Sequence, residues 1–186
     1  MSTTFPGTTV EVLELKKGSS RSLFDGIFAT GGITLSQVSI MTGLEPYLIQ
    51  NWVKRGFLTS PQKRLYSREQ FARIIIINML RESLQIEKIC EIIRIVGGVL
   101  EDTSDDLIGD DELYHRYVDM ISDKSIDISD GASVVAAAEN AIDTAEVKNE
   151  TDKKQISLIL QVMTYAHSAS QLRKRAENIL AVCSRR

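Results

Sequence analysis

Residues 43–58 read GLEPYLIQNWVKRGFL, a short run punctuated by Gly43 and Gly56 that holds the chain's single tryptophan, Trp52. Pro46 suits the first turn of a helix, where its missing N–H is no loss. Helical spacing then puts Ile49, Trp52, Val53 and Gly56 on one side and Tyr47, Gln50, Asn51 and Lys54 in a stripe on the other. The apolar side predicts packing against a core. The polar stripe is either the solvated face of a bundle or a surface that reads a partner. Glutamine and asparagine amides bond an adenine edge bidentately, and a lysine reaches a guanine or a phosphate.

Working outward, the upstream stretch ITLSQVSIMTG (33–43) carries Leu35, Val38 and Met41 at helical spacing. Thr34 and Gln37 have the spacing of a capping box, and Gly43 fits a helix stop. Two short helices joined by a glycine-containing turn predict a helix-turn-helix whose second helix enters a DNA major groove. Downstream, FLTSPQKRLY (57–66) is too punctuated for a helix and reads as a loop or small hairpin with Pro61 at its turn. Lys63, Arg64 and Tyr66 in that segment are placed for backbone phosphates. Ser67 and Gln70 form a second capping-box pair and open a third helix, QFARIIIINMLRES. Four consecutive isoleucines, Ile74 to Ile77, favour a strand. The 3.6 period of Phe71, Ile74, Ile75, Asn78 and Met79 over a run this long favours a helix instead. A fourth helix, IEKICEIIRIV, ends at Gly97–Gly98, and no strand is expected outside a ribbon within 57–66.

Residues 1–21 mix Thr, Gly, Ser and Lys and read as a flexible arm; one short packed helix is expected within 22–32. After Gly98 the composition turns acidic. EDTSDDLIGDDE reads as a linker, or as a helix N-terminal edge where carboxylates are favoured by the dipole. LYHRYVDMIS reads as a short amphipathic helix, and SDGASVVAAAENAIDTA as an Ala-rich helix capped by Ser129 or Asp130. One long helix is expected from Thr151 to Cys183. Ile159, Val162, Ala166, Ala169, Arg173, Ala176, Leu180 and Cys183 give it a heptad seam. Ile156, Leu158, Leu160 and Met163 make its first half apolar nearly all round, which marks burial in a bundle. The expected organisation is an arm over 1–21, a DNA-binding unit over 22–98 and an acidic helical region over 99–186.

Bulk properties set outer bounds. The chain has 186 residues, 43% hydrophobic and 25% charged, ordinary values for one globular domain or two small ones. No apolar run approaches the ~20 residues of a membrane span. The start lacks a basic segment followed by an apolar core, so no signal peptide is expected. Cys90 and Cys183 lie in apolar helical patterns and read as buried free thiols, which points to a cytoplasmic protein. The net charge of -3 hides an asymmetry: residues 30–96 hold nine basic and five acidic residues, residues 97–186 ten and seventeen. A locally basic unit joined to an acidic one suits a DNA-binding module attached to something that does not touch DNA. Cys90, His115, His167 and Cys183 are scattered, without the short spacings of a metal site. Tyr165 and His167 read as packing residues before pocket residues. No phosphate loop, dinucleotide fingerprint, nucleophile elbow or paired metal motif occurs, so neither an enzyme nor a cofactor is expected.

The order of these segments, ITLSQVSIMTGLEPYLIQNWVKRGFL, then KRLYS, then a helix with paired apolar residues, then LQIEKICEII, resembles the MerR-like winged helix-turn-helix domain over Ile33 to Val96. It is most similar to an uncharacterised bacterial branch of that superfamily, a domain-of-unknown-function family with a Q-N-W-V-K-R-G core followed by K-R-Y-S; here Leu65 is inserted before Tyr66. The resemblance implies a mainly α fold: a winged helix-turn-helix domain followed by a C-terminal helical bundle with a long last helix. It places Tyr47 and Gln50 where such proteins commonly carry DNA-meeting arginines, Arg64 and Tyr66 on the phosphate-holding pair of the wing, and Trp52 on a helix aromatic. It departs from the pattern at Glu45, which replaces a serine cap, at Ser83 and Gln85, and in a short wing. The function expected is that of a sequence-specific DNA-binding transcriptional regulator acting as a homodimer on double-stranded DNA. Its contacts would come from Tyr47, Gln50, Asn51, Lys54, Arg55, Lys63, Arg64 and Tyr66. No small-molecule effector is assigned. The alternative is a protein-interaction adaptor built on the same fold that has lost DNA binding.

Overall fold

The segment from Ile33 to Lys54 folds as two short helices around a tight turn. The computed structural model, which describes residues 3–97, 107–143, 147 and 149–184, is mainly α-helical. Helix α2 (Leu35–Thr42) starts at Thr34, whose side chain and that of Gln37 cap each other's backbone, and stops at Gly43 in the left-handed region. Helix α3 (Pro46–Lys54) follows with Pro46 in its first turn. Ile49 and Trp52 are buried, at 0% and 4% exposure. The lone tryptophan is therefore a core anchor.

A central helix, α4 (Arg68–Leu80), opens on the Ser67–Gln70 capping box. Ile74 to Ile77 are all fully buried, because α4 packs against α2, α5 (Ile86–Gly97), α6 (Asp110–Ile121) and α8 (Glu150–Cys183). A helix with neighbours around it tolerates four isoleucines in a row. Burying each side chain stabilises the fold by roughly 1.5–3 kcal/mol, which outweighs their strand preference. Helix α1 (Ser19–Ile27) lies against α6. Helix α7 (Gly131–Ile142), capped by Asp130, packs between α6 and α8. The first half of α8 is embedded through Ile156, Leu160, Met163 and Ala166, whereas every residue from Gln171 to Ser184 is exposed. The heptad seam is thereby split: Ile159 and Ala166 face the bundle, and Val162, Ala169, Arg173, Ala176, Leu180 and Cys183 face outward. Cys183 is thus not the buried thiol expected; Cys90 is half-buried, and burial pushes its thiol pKa up.

Strand structure differs from expectation in two places. Ile33–Thr34 (β3) and Leu65–Tyr66 (β4) pair antiparallel, Ile33 opposite Tyr66, so the ribbon joins the start of α2 to the segment before α4. An additional ribbon pairs Thr3–Thr4 (β1) with Glu11–Val12 (β2). The N-terminal segment expected as a flexible arm is bound along most of its length. Phe5 is 4% exposed. The Tyr114 hydroxyl donates to the Pro6 carbonyl at 2.9 Å, Thr9 N–H donates to the Met41 carbonyl at 2.8 Å, and Asn78 Nδ2 donates to the carbonyls of both Gly7 and Thr42 at 2.9 Å. These partners lie far along the chain, where local sequence pattern gives no sign of them. Gly7 adopts φ 73°, and a Cβ there would stand 2.4 Å from the Ile75 carbonyl oxygen; only glycine permits this approach.

The acidic stretch 101–106 lies outside the described residues. Among them, no helix is long and apolar enough to cross a membrane.

Candidate functional site

Helix α3 and the hairpin before β4 form one surface. Leu65 N–H donates to the Gln62 carbonyl at 2.8 Å, closing a tight turn around Lys63 and Arg64. Pro61 stands outside the turn, contrary to expectation. Lys63 and Arg64 both adopt positive φ, 49° and 66°. Two such residues in succession suit the twist of a two-residue hairpin, where asparagine and glycine are preferred. For residues with a Cβ this conformation costs roughly 1–2 kcal/mol each. The tip therefore holds its two cations in a strained backbone, a pattern associated with functional positions.

The hairpin is pinned from behind. Gln70 Oε1 accepts from the Ser67 N–H at 2.9 Å, while its Nε2 donates to the Thr59 hydroxyl at 2.8 Å and to the carbonyls of Thr59 and Ser60 at 3.1 and 3.2 Å. The capping box was visible in the sequence; its grip on the hairpin was not.

The stripe on α3 is uncovered. Tyr47 is 64% exposed, and Gln50, Asn51 and Lys54 are exposed with it. Gln50 and Arg64 line one open recess of about 360 Å³, walled otherwise by Leu35, Val53, Pro61 and Tyr66. Lys54, Lys63 and Arg64 have no carboxylate within ion-pair distance among the described residues. Lys54 also sits in the last turn of α3, where a cation complements the helix dipole. Glu45 caps α3 without a side-chain bond and is exposed.

Two of the expected contact residues are engaged within the fold. Arg55 is paired with Glu87 at 2.9 Å, and its guanidinium lies 4.4 Å from the Phe57 ring centroid. It ties α3 to α5 and does not join the open face as a free cation. Tyr66 is 3% exposed, and burial raises its phenol pKa. Its ring builds the recess wall instead of reaching outward. Sequence pattern missed the apolar wall of Leu35, Val53 and Pro61, which forms only when the hairpin folds over α3.

No group of three or more His, Cys, Asp and Glu able to hold a metal ion occurs among the described residues. Comparison with curated proteins and with solved structures returns no match. Residues 33–117, from β3 into α6 and so including the whole of this surface, match a family model described as a domain of unknown function (DUF1836).

Proposed function

We propose that this chain is a sequence-specific DNA-binding regulator of winged helix-turn-helix type, with α3 in the major groove and the Lys63–Arg64 hairpin on the backbone as its wing. The observation that carries the proposal is the shared recess of Gln50 and Arg64. It sets an amide suited to a base edge with a cation suited to a phosphate, on a face that none of the described residues covers. Tyr47 and Asn51 extend the readout surface; Lys54 and Lys63 extend the basic rim. With Arg55 engaged by Glu87, few phosphate contacts fall to each subunit, so affinity rests on two subunits binding together. The outward-facing end of α8, with Leu172, Ile179, Leu180 and Val182 each at least 64% exposed, is the surface proposed for that homodimer. A two-fold operator follows from such symmetry.

The apolar wall of the recess favours a second reading. Leu35, Val53 and Pro61 would accept a side chain from a protein partner, making the chain an adaptor that does not bind DNA.

Binding of pooled genomic fragments at several salt concentrations separates the two. Arg64→Ala is expected to weaken all fragments alike and to reduce the salt slope by about one unit, whereas Gln50→Ala is expected to change which fragments are preferred. If the native chain retains no fragment above background at low salt, the DNA proposal fails and the adaptor stands.

A further inference from the structure

A second cavity, of about 430 Å³, lies where the β1–β2 segment, the end of α2, α4 and α8 converge. Its size falls within the range of small-molecule sites. The lining is mainly polar, and its groups are unevenly satisfied. Arg81 uses only Nε within the fold, donating to Asn78 Oδ1 at 3.0 Å; its two Nη atoms have no partner among the described residues. Glu82 is held by Lys174 at 3.1 Å and by Arg173 at 3.3 Å, so its charge is already countered.

His167 adds a directed donor. The Tyr117 hydroxyl, 1% exposed as a residue, has His167 Nδ1 at 2.7 Å as its sole hydrogen-bond partner among the described residues. A buried hydroxyl with one partner donates its proton to it, which fixes the hydrogen of the neutral ring on Nε2. Burial holds the ring's pKa down to about 4, so it is neutral at pH 7. Nε2–H then points toward Gln171, whose amide nitrogen Nε2 stands 3.1 Å away on the cavity wall. Two N–H donors cannot bond each other, so Gln171 as placed is no acceptor and the His167 Nε2–H is left to an occupant.

We propose that this cavity binds a small polar monocarboxylate, held by the free guanidinium edge of Arg81 with a further bond from His167 Nε2–H. A guanidinium fork matches a carboxylate in two parallel bonds. The lining charges, Arg81 and Lys174 against Glu82, leave a single positive charge for the occupant to meet. That balance suits a monoanion better than a dianion such as phosphate. The site is independent of the DNA proposal, because none of these groups lies on the recess of Gln50 and Arg64.

The test is thermal unfolding and titration calorimetry of the full chain with lactate, glycolate and gluconate as probes, and with phosphate and glucose as comparisons. At least one monocarboxylate is expected to raise Tm by about 3 °C at saturating concentration, with phosphate and glucose inert. Arg81→Gln is expected to weaken that binding at least tenfold. Gln171→Trp, which fills the cavity mouth from an exposed position, is expected to do the same and guards against a folding defect in the Arg81 variant. The proposal is overturned if no monocarboxylate produces heat or a Tm shift, if phosphate binds more tightly, or if binding is unchanged in Gln171→Trp.

Discussion

Gln50 of α3 and Arg64 of the hairpin tip line one recess, and Arg64 is held there in a left-handed backbone conformation. Strain and presentation are thus coupled at the same residue. Replacing Lys63→Asn with Arg64→Gly supplies the residues such a turn prefers. The double variant is expected to gain about 1–2 kcal/mol of stability in urea unfolding. On the DNA proposal it loses binding to every fragment at once. A variant that is no more stable than the native chain would show that the turn is not strained.

Arg73 and Asp110 form an ion pair at 2.6 Å in the interior, joining α4 to α6. One carboxylate oxygen, Asp110 Oδ1, is buried without a partner, and burial raises the Asp110 pKa against the pull of Arg73. Arg73→Met alone leaves a buried carboxylate exposed to no cation and is expected to cost about 3–5 kcal/mol. Arg73→Met combined with Asp110→Leu is expected to recover most of that loss. Denaturant unfolding of the two single variants and the double variant measures the coupling; additive losses would contradict it.

His115 is buried and His167 half-buried, with pKa values held down to about 4 from an ordinary 6.5, desolvation being the largest cause for each. Both stay neutral in the folded chain across a window where the unfolded chain takes up protons. Stability from this source is therefore complete above pH 6.5 and is lost as pH falls from 6.5 toward 4. For His167 the loss approaches roughly 3 kcal/mol at the bottom of the window. Tm measured in steps between pH 7 and 4 is expected to fall, and the fall to be shallower in a His115→Gln, His167→Gln variant. An equally steep fall in that variant would assign the pH dependence to carboxylates instead.

The exposed end of α8 contributes little to the fold. Cutting the chain after Gln171 removes the ion pairs of Glu82 with Arg173 and Lys174, whose cations are 51% and 49% exposed. Such surface pairs are worth about 0–1 kcal/mol, so Tm is expected to change by only a few degrees. Sedimentation of the full chain is expected to show a dimer and of the shortened chain a monomer. A monomeric full chain would remove the dimer from the functional proposal.

Most helices were legible because their signals are local. Thr34–Gln37, Ser67–Gln70, Pro46 and Gly43 each act within one turn, and the structure starts and stops helices where they stand. The outward stripe of α3 was legible for the same reason. What local pattern could not carry was pairing across distance. Phe5, Gly7 and Thr9 looked like loop residues until Tyr114, Asn78 and Met41 reached them. Arg55 looked like a free cation until Glu87 arrived from α5. Tyr66 was assigned to the surface with Lys63 and Arg64 and went into the core because β4 pairs with β3, an alignment set by tertiary packing.

The bound N-terminal segment also sets an order of events. Pro6 waits for Tyr114, and Gly18 N–H for the Asp119 carboxylate at 2.7 Å. During synthesis at the ribosome the α2–α3 unit emerges well before these partners do, so its helices can form while the strap beside them is still undocked. Contacts spanning so much chain close slowly, since the loop entropy is spent before the contact rewards it. The amides of this strap, Gly18 included, should therefore be among the last to gain protection in a refolding hydrogen-exchange experiment.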